Sequence, residues 1–201
     1  MFTATSQRDS FSMAQIWDGS FRTKDLTVLH SMKNGKQYSV LNFDRSTGST
    51  SVDLYDYITF SKVNVIATSK TMDAVPYFTN YTFSSDERKL ILETNTESIF
   101  RHSVLGHYYV YDIELDQLNL ISDNKIQEPT FSPDGTKVAY ALNNNLFIKD
   151  LISDKTIQIT YDGEKNRVIN GITDWVYEEE FAFVRAFEWN INSNRIAFIR
   201  F

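Results

Sequence analysis

The sequence has no cysteine, and its 201 residues include only 7 glycines and 3 prolines. The lack of cysteine excludes a disulfide scaffold, a thiolate zinc site and a cysteine nucleophile. No apolar stretch approaches the roughly 18 residues of a membrane span, and the N-terminal segment has neither the cationic start nor the apolar run of a signal peptide. The scarcity of glycine and proline argues against flexible linkers between separate domains.

Basic residues and cofactor motifs are also scarce. The chain has 20 basic and 26 acidic residues, which gives a formal net charge of −6 and argues against a nucleic-acid partner. It contains no glycine-rich phosphate loop, no Gly-x-Ser-x-Gly nucleophile elbow and no His-Glu-x-x-His. We therefore expect no cofactor, no metal site and no catalytic residue within these 201 positions. The hydrophobic fraction of 42% is nevertheless sufficient for a substantial core.

A short pattern recurs three times along the chain. Each copy has an aromatic residue, a polar turn, a basic residue and then an apolar strand. The aromatic residues Phe83, Phe131 and Trp189 follow one another at intervals of 48 and 58 residues. A period of about 40–50 residues with strand and turn content is typical of β-propeller blades. The copies occupy residues 82–91, 130–140 and 188–198.

The pattern predicts an all-β fold built from antiparallel meanders. Ser132-Pro133-Asp134-Gly135 suits a tight turn, and strands are predicted at Tyr108–Ile113, Val138–Leu142, Leu146–Asp150 and Thr156–Thr160. Closed propellers have about 4–8 blades, so three to four visible blades predict a partial β-propeller. We assign residues 1–30 to a lead-in segment, with a helical turn near residues 12–17, and residues 31–201 to an incomplete propeller domain.

The longer of the two repeat intervals contains an unusual acidic stretch, residues 170–181, in which three consecutive glutamates lie among aromatic residues. Asp174 is a suitable helix N-cap, and on a short helix Glu179 and Glu180 can converge on one ligand, whereas on a strand they would point to opposite faces. Two adjacent carboxylates favour a bound cation, for which the α-ammonium of a peptide is suited. The alternative is a solvent-exposed acidic face.

A second candidate is Arg101, in the segment Phe100-Arg101-His102-Ser103. Its guanidinium can hold a carboxylate pair in place or donate to a carbonyl oxygen. The alternative is an ordinary surface salt bridge.

Two of these motifs resemble those of a known family. The segment Asn170–Glu180 resembles the Asp-Trp-Val-Tyr-Glu-Glu-Glu signature of the dipeptidyl peptidase IV family of serine peptidases, and Phe100–Ser103 is similar to its aromatic-Arg-His-Ser segment. Ile16-Trp17 and Ser31–Gly35 resemble the family's entry into the propeller. The resemblance extends over roughly residues 14–201.

The resemblance implies a function for these residues. In the family, an eight-bladed propeller caps an α/β-hydrolase domain, which we expect to be absent from this chain together with its Ser-Asp-His triad. By motif match, Glu179 and Glu180 would bind the free N-terminus of a peptide substrate and Arg101 a peptide carbonyl. The implied reaction is release of N-terminal dipeptides with proline or alanine second, and the fragment alone should be inactive.

The resemblance also implies a location and partners. The family suggests a periplasmic, extracellular or membrane-anchored protein, with peptides as partners and a possible homodimer of the full-length protein. The competing hypothesis is a non-enzymatic propeller that binds other proteins through its face.

Overall fold

The computed structural model describes residues 11–22 and 28–201 of the chain, and most of them form antiparallel β-strands. Two short α-helices are present within these residues: α1 (Met13–Trp17) and α2 (Trp175–Phe181). The strands are β1 (Leu29–Ser31), β2 (Gln37–Asp44), β3 (Ser49–Asp56), β4 (Lys62–Thr68), β5 (Asn80–Phe83), β6 (Lys89–Ser98), β7 (Val104–Asp112), β8 (Gln117–Leu120), β9 (Gln127–Phe131), β10 (Lys137–Leu142), β11 (Asn145–Asp150), β12 (Thr156–Gln158), β13 (Phe187–Trp189) and β14 (Ile196–Phe198).

The strands form a partial β-propeller, as the repeat pattern predicts. β1 to β4, β5 to β8 and β9 to β12 each form a four-stranded meander in sequence order, and β13 pairs with β14 in a two-stranded sheet. We refer to these four sheets as blades 1 to 4. All strand pairs are antiparallel, which allows the short hairpin connections that the sequence predicts.

The repeated segments form the hairpins between the first and second strands of blades 2, 3 and 4. In blade 3, the Ser132 hydroxyl donates to Asp134 Oδ1 at 2.6 Å and accepts from the Lys137 amide at 3.0 Å. Ser84 makes the equivalent pair of hydrogen bonds in blade 2. In blade 4, the side chain of Asn190 replaces the serine and accepts from two backbone amides of its own turn. One local hydrogen-bond pattern therefore explains the recurrence.

The core lies between neighbouring blades, and the central strands contribute to two interfaces at once. On β6, Leu90 and Leu92 pack against blade 1, whereas Ile91 packs against blade 3. On β10, Val138 faces blade 2 and Ala139 faces blade 4. Because successive side chains on a strand point to opposite faces, a strand buried on both faces is apolar at every position. This explains why the repeats carry continuous apolar runs rather than alternating ones.

The lead-in contains the predicted helical turn. α1 is capped at its N-terminus by Ser12, whose hydroxyl accepts from the Gln15 amide at 3.2 Å, and the Gln15 side chain accepts from the Ser12 amide in return. Every described residue of this turn is exposed. Residues 1–10 and 23–27 of the predicted lead-in lie outside the described residues. The predicted start of the propeller domain at residue 31 stays a prediction, and the first strand of blade 1, β1, begins two residues before it, at Leu29.

The insertion between blades 3 and 4 contains the second helix. Asp174 is the N-cap of α2, and its carboxylate accepts from the Tyr177 amide at 3.1 Å, which confirms the predicted cap. The helix ends at Phe181, and its C-cap Ala182 adopts a left-handed conformation with φ +50°. Among the residues that the structure describes, no helix has the length and apolar character to cross a membrane.

Candidate functional site

Helix α2 is held at both ends by its flanking segments. The Thr173 amide donates to the carbonyl of Val184 at 3.1 Å, and the Thr173 hydroxyl donates to the carbonyl of Phe183 at 2.5 Å. Asn170, three residues before Thr173, donates its amide to the carbonyl of Asn144 in the turn between β10 and β11. These contacts tie the two ends of the insertion to each other and to blade 3, so the orientation of the helix is determined by the propeller.

The three consecutive glutamates of α2 have different surroundings. Glu178 is buried, with only 1% of its surface exposed, and its Oε1 accepts from the backbone amides of His102 at 2.6 Å and Ser103 at 2.9 Å. Glu179 is partly buried and Glu180 is exposed. Burial opposes ionisation of the Glu178 carboxyl, but its hydrogen bonds with Ser103 and with the backbone of His102 hold its pKa below the ordinary value.

Arg101 lies beside the second glutamate of this triplet. Its Nη2 is 3.3 Å from Glu179 Oε2, and the arginine side chain is 70% exposed whereas that of Glu179 is 17% exposed. Arg101 belongs to the connection between β6 and β7 of blade 2, so the contact joins blade 2 to the insertion that follows blade 3. Within the described residues, the Glu180 side chain makes no ion pair or hydrogen bond. The structure thus brings Arg101 next to Glu179, with Glu180 adjacent in the last turn of the helix.

Two cavities flank the Arg101 segment. One, of about 470 Å³, is lined by Phe100 together with Trp175 and Val176 of α2. The other, of about 420 Å³, is lined by His102 and extends toward the first strands of blades 2 and 3. A larger cavity of about 690 Å³ on the open face of blade 4 contains none of the three predicted site residues. Arg101, Glu179 and Glu180 line neither of the smaller cavities, but each of these cavities is lined by a residue next to Arg101 in the chain, Phe100 or His102.

The cavity next to His102 has an acidic wall. Glu93 accepts from the hydroxyl of Tyr108 at 3.1 Å, and burial together with this carboxylate raises the pKa of the tyrosine. Burial raises the pKa of Glu128 as well; Arg185 opposes the shift, and the carboxylates of Glu93 and Glu178 add to it. The wall of this cavity thus carries the carboxyl groups of Glu93 and Glu128 together with the guanidinium of Arg185.

Sequence reasoning missed the burial of Glu178 and the two carboxylates in the wall of the cavity. Hydropathy places Trp175 in the core before any glutamate, yet Trp175 is 56% exposed and Glu178 is buried. Glu93 and Glu128 occur singly on strands, where no motif marks them. No pattern in the sequence could have identified these residues, because their surroundings come from other blades.

The groups available for chemistry at the site are the side chains of Glu179, Glu180 and Arg101. Within residues 11–22 and 28–201, no group of three or more histidine, aspartate and glutamate side chains is arranged to hold a metal ion. The two carboxylates can accept hydrogen bonds from an ammonium group, and the guanidinium can donate to a carbonyl oxygen.

Comparisons with known proteins agree with this architecture. Residues 84–201 match the family described as the dipeptidyl peptidase IV (DPP IV) N-terminal region. The structure is similar to the crystal structure of Porphyromonas gingivalis dipeptidyl peptidase 4, with a TM-score of 0.85 and 34% identity over 97% of this chain and 28% of that one.

Sequence relatives include dipeptidyl peptidase 4 of Sus scrofa, 30% identical over 98% of this chain and 25% of the relative. Prolyl endopeptidase FAP of Homo sapiens is 29% identical over 96% of this chain and 24% of the relative. The chain thus spans about a quarter of the length of these relatives. From the match over most of its propeller, the agreement of its fold and its similarity to these peptidases, the chain belongs to the dipeptidyl peptidase IV family, in its N-terminal region.

Proposed function

We propose that this chain is the substrate-recognition part of a serine-type dipeptidyl peptidase, in which Glu179 and Glu180 bind the free α-ammonium of a peptide. The observation that supports this most directly is the position of two successive carboxylates in the last turn of α2, one of them 3.3 Å from Arg101. The family membership supports the proposed class of reaction, and the two neighbouring carboxylates support the proposed binding of the charged end of the substrate.

The α-ammonium of a peptide is suited to this receptor. Its pKa of roughly 7.7–8.0 keeps it mostly charged at neutral pH, and it has three protons to donate. The Glu179 side chain is only 17% exposed, so its interaction with a cation is screened less than that of a surface carboxylate. Arg101 lowers the cost of holding two carboxylates together and presents further N–H groups to a peptide carbonyl.

Recognition of the N-terminus also determines where the chain is cut. A receptor held at a fixed distance from a nucleophile leaves room for a set number of residues, so charge recognition becomes positional specificity. We propose that this distance accommodates two residues and that the Ser-Asp-His triad belongs to an α/β-hydrolase domain outside these 201 residues. The chain by itself would then bind substrate without cleaving it.

The test is kinetic, on the full-length protein with a chromogenic Xaa-Pro substrate. A charge-assisted hydrogen bond contributes about 1.5–3 kcal/mol, so Glu179→Ala and Glu180→Ala should each lower kcat/KM by roughly 10- to 150-fold. Glu114→Ala is the matched control, because Glu114 is exposed and pairs with Arg88 at the far hairpin of blade 2. A loss of less than threefold in both site variants would show that the acidic segment is only a solvated surface.

A further inference from the structure

Glu178 makes contacts that substrate binding does not require. It is one of the most buried side chains of the protein, on a helix whose aromatic residues Trp175 and Tyr177 are exposed. Burial of a carboxylate is unfavourable unless hydrogen bonds replace its hydration. Both replacements come from the amides of His102 and Ser103, at 2.6 and 2.9 Å. The buried carboxylate therefore joins α2 to the segment that carries Arg101.

The segment that receives this contact is a closed turn. The amide of Ile99 donates to the carbonyl of Ser103 at 3.0 Å, so residues 99–103 form a loop whose ends are hydrogen bonded to each other. Arg101 lies at the centre of this loop, immediately before the two amides that Glu178 accepts from. Anchoring these amides fixes the backbone from which the long arginine side chain extends.

Neighbouring residues of one helix turn contact both the backbone of the Arg101 loop and the Arg101 side chain. Successive side chains on an α-helix are about 100° apart, so Glu178 can point inward to the loop backbone while Glu179 points to the loop's guanidinium. Arg101 is 70% exposed and has many accessible rotamers, so its single 3.3 Å contact with Glu179 is insufficient to define its position. The backbone anchor supplies the missing constraint.

We infer that Glu178 is a positioning residue: its buried carboxylate fixes the Arg101 loop against α2 and thereby sets the geometry of Arg101 and Glu179 toward the peptide. Glu178 does not itself touch the substrate. This inference rests on the proposed function, since it assigns to Glu178 a role in the same recognition site.

The test compares Glu178→Ala and Glu178→Gln with Glu114→Gln in the full-length protein. Glutamine keeps a carbonyl oxygen that can accept from the two amides, whereas alanine removes the acceptor. We expect kcat/KM for a free-amine Xaa-Pro substrate to fall 10- to 100-fold in Glu178→Ala and three- to tenfold in Glu178→Gln. Labelling of the nucleophilic serine by a fluorophosphonate probe without an amine should stay within twofold, and Glu114→Gln should match the wild type in both assays.

Hydrogen exchange provides the structural measurement. The amides of His102 and Ser103 should exchange at least tenfold faster in Glu178→Ala, while the amide of Val110, in the centre of blade 2, should be unchanged. Faster exchange without any loss in kcat/KM would overturn the positioning role. A parallel loss of kcat/KM and probe labelling would overturn it as well, because Glu178 would then support the fold as a whole rather than the position of Arg101. If Glu179→Ala also leaves kcat/KM unchanged, the proposed function itself fails; if Glu179→Ala alone lowers it, only the role of Glu178 is refuted.

Discussion

Substitution of Arg101 should separate stability from function. Arg101 makes one ion-pair contact, at 3.3 Å to Glu179, and its side chain is 70% exposed. Exposed pairs of this kind contribute about 0–1 kcal/mol, because solvent screens the charges and the long side chain loses rotamer freedom. Arg101→Ala should therefore lower the free energy of unfolding by less than about 1 kcal/mol, as measured by urea denaturation.

The same substitution should have a large kinetic effect. It removes the cation beside Glu179 and the proposed donor to a substrate carbonyl, and loss of one charge-assisted hydrogen bond corresponds to roughly 10- to 150-fold in kcat/KM. Arg101→Lys should fall between the wild type and alanine, because lysine keeps the charge but not the planar fork of donors. Arg88→Ala is the control: Arg88 is similarly exposed and pairs with Glu114 in the same blade.

Two results would refute this reasoning. A loss of stability above about 2 kcal/mol in Arg101→Ala exceeds what an exposed ion pair contributes, and it would mean that Arg101 supports the fold. A kcat/KM within threefold of the wild type would mean that Arg101 takes no part in recognition. Because both quantities are measured on the same preparation, neither outcome can be attributed to differences in protein quality.

Two further predictions concern the scaffold. Gly171 adopts φ +76°, and an added Cβ would lie 2.5 Å from Leu146 Cδ2. The control Gly48 adopts φ +70° but has open space around it, so Gly48→Ala should cost only about 1 kcal/mol. Gly171→Ala should therefore lower the melting temperature clearly more than Gly48→Ala, and equal shifts would contradict the clash. Burial opposes ionisation of Asp134, but hydrogen bonds from Ser132 and from others in the turn lower its pKa to about 2 from an ordinary 3.8. The ionised carboxylate therefore stabilises the fold above about pH 4, and this contribution is lost as the pH falls toward 2. Urea midpoints measured over this pH range should fall less in Asp134→Asn than in the wild type, and parallel curves would refute the assignment.

Local sequence features predicted most of the fold. The serine-based turns of blades 2 and 3 are stabilised by hydrogen bonds within six residues, so the residues that form them are readable as a motif. The apolar runs of β6 and β10 are readable for a similar reason, since a strand between two blades is buried on both faces. The N-cap of α2 depends on Asp174 and a neighbour three residues away. Each of these features is encoded within a short window.

The candidate site was predictable only in part. The adjacent carboxylates, the neighbouring guanidinium and the motif resemblance predict Glu179, Glu180 and Arg101 as site residues, and their role in binding stays a prediction that the kinetic tests address. The proximity of Arg101 to Glu179 is a property of the folded chain, because one belongs to blade 2 and the other to the insertion after blade 3. The acidic cavity around Glu93 and Glu128 likewise forms where two blades meet.

The sequence by itself determined the blade repeat, the antiparallel meanders and the capped helix, because each depends on neighbours along the chain. Only the tertiary structure decided which of three identical glutamates is buried. His102 and Glu178 are 76 residues apart, and their hydrogen bond exists because blade stacking brings the blade 2 loop under α2. Hydropathy alone predicts the opposite, with the tryptophan inside and the carboxylate outside. The cost of burying that charge is offset only by amides that a distant segment supplies.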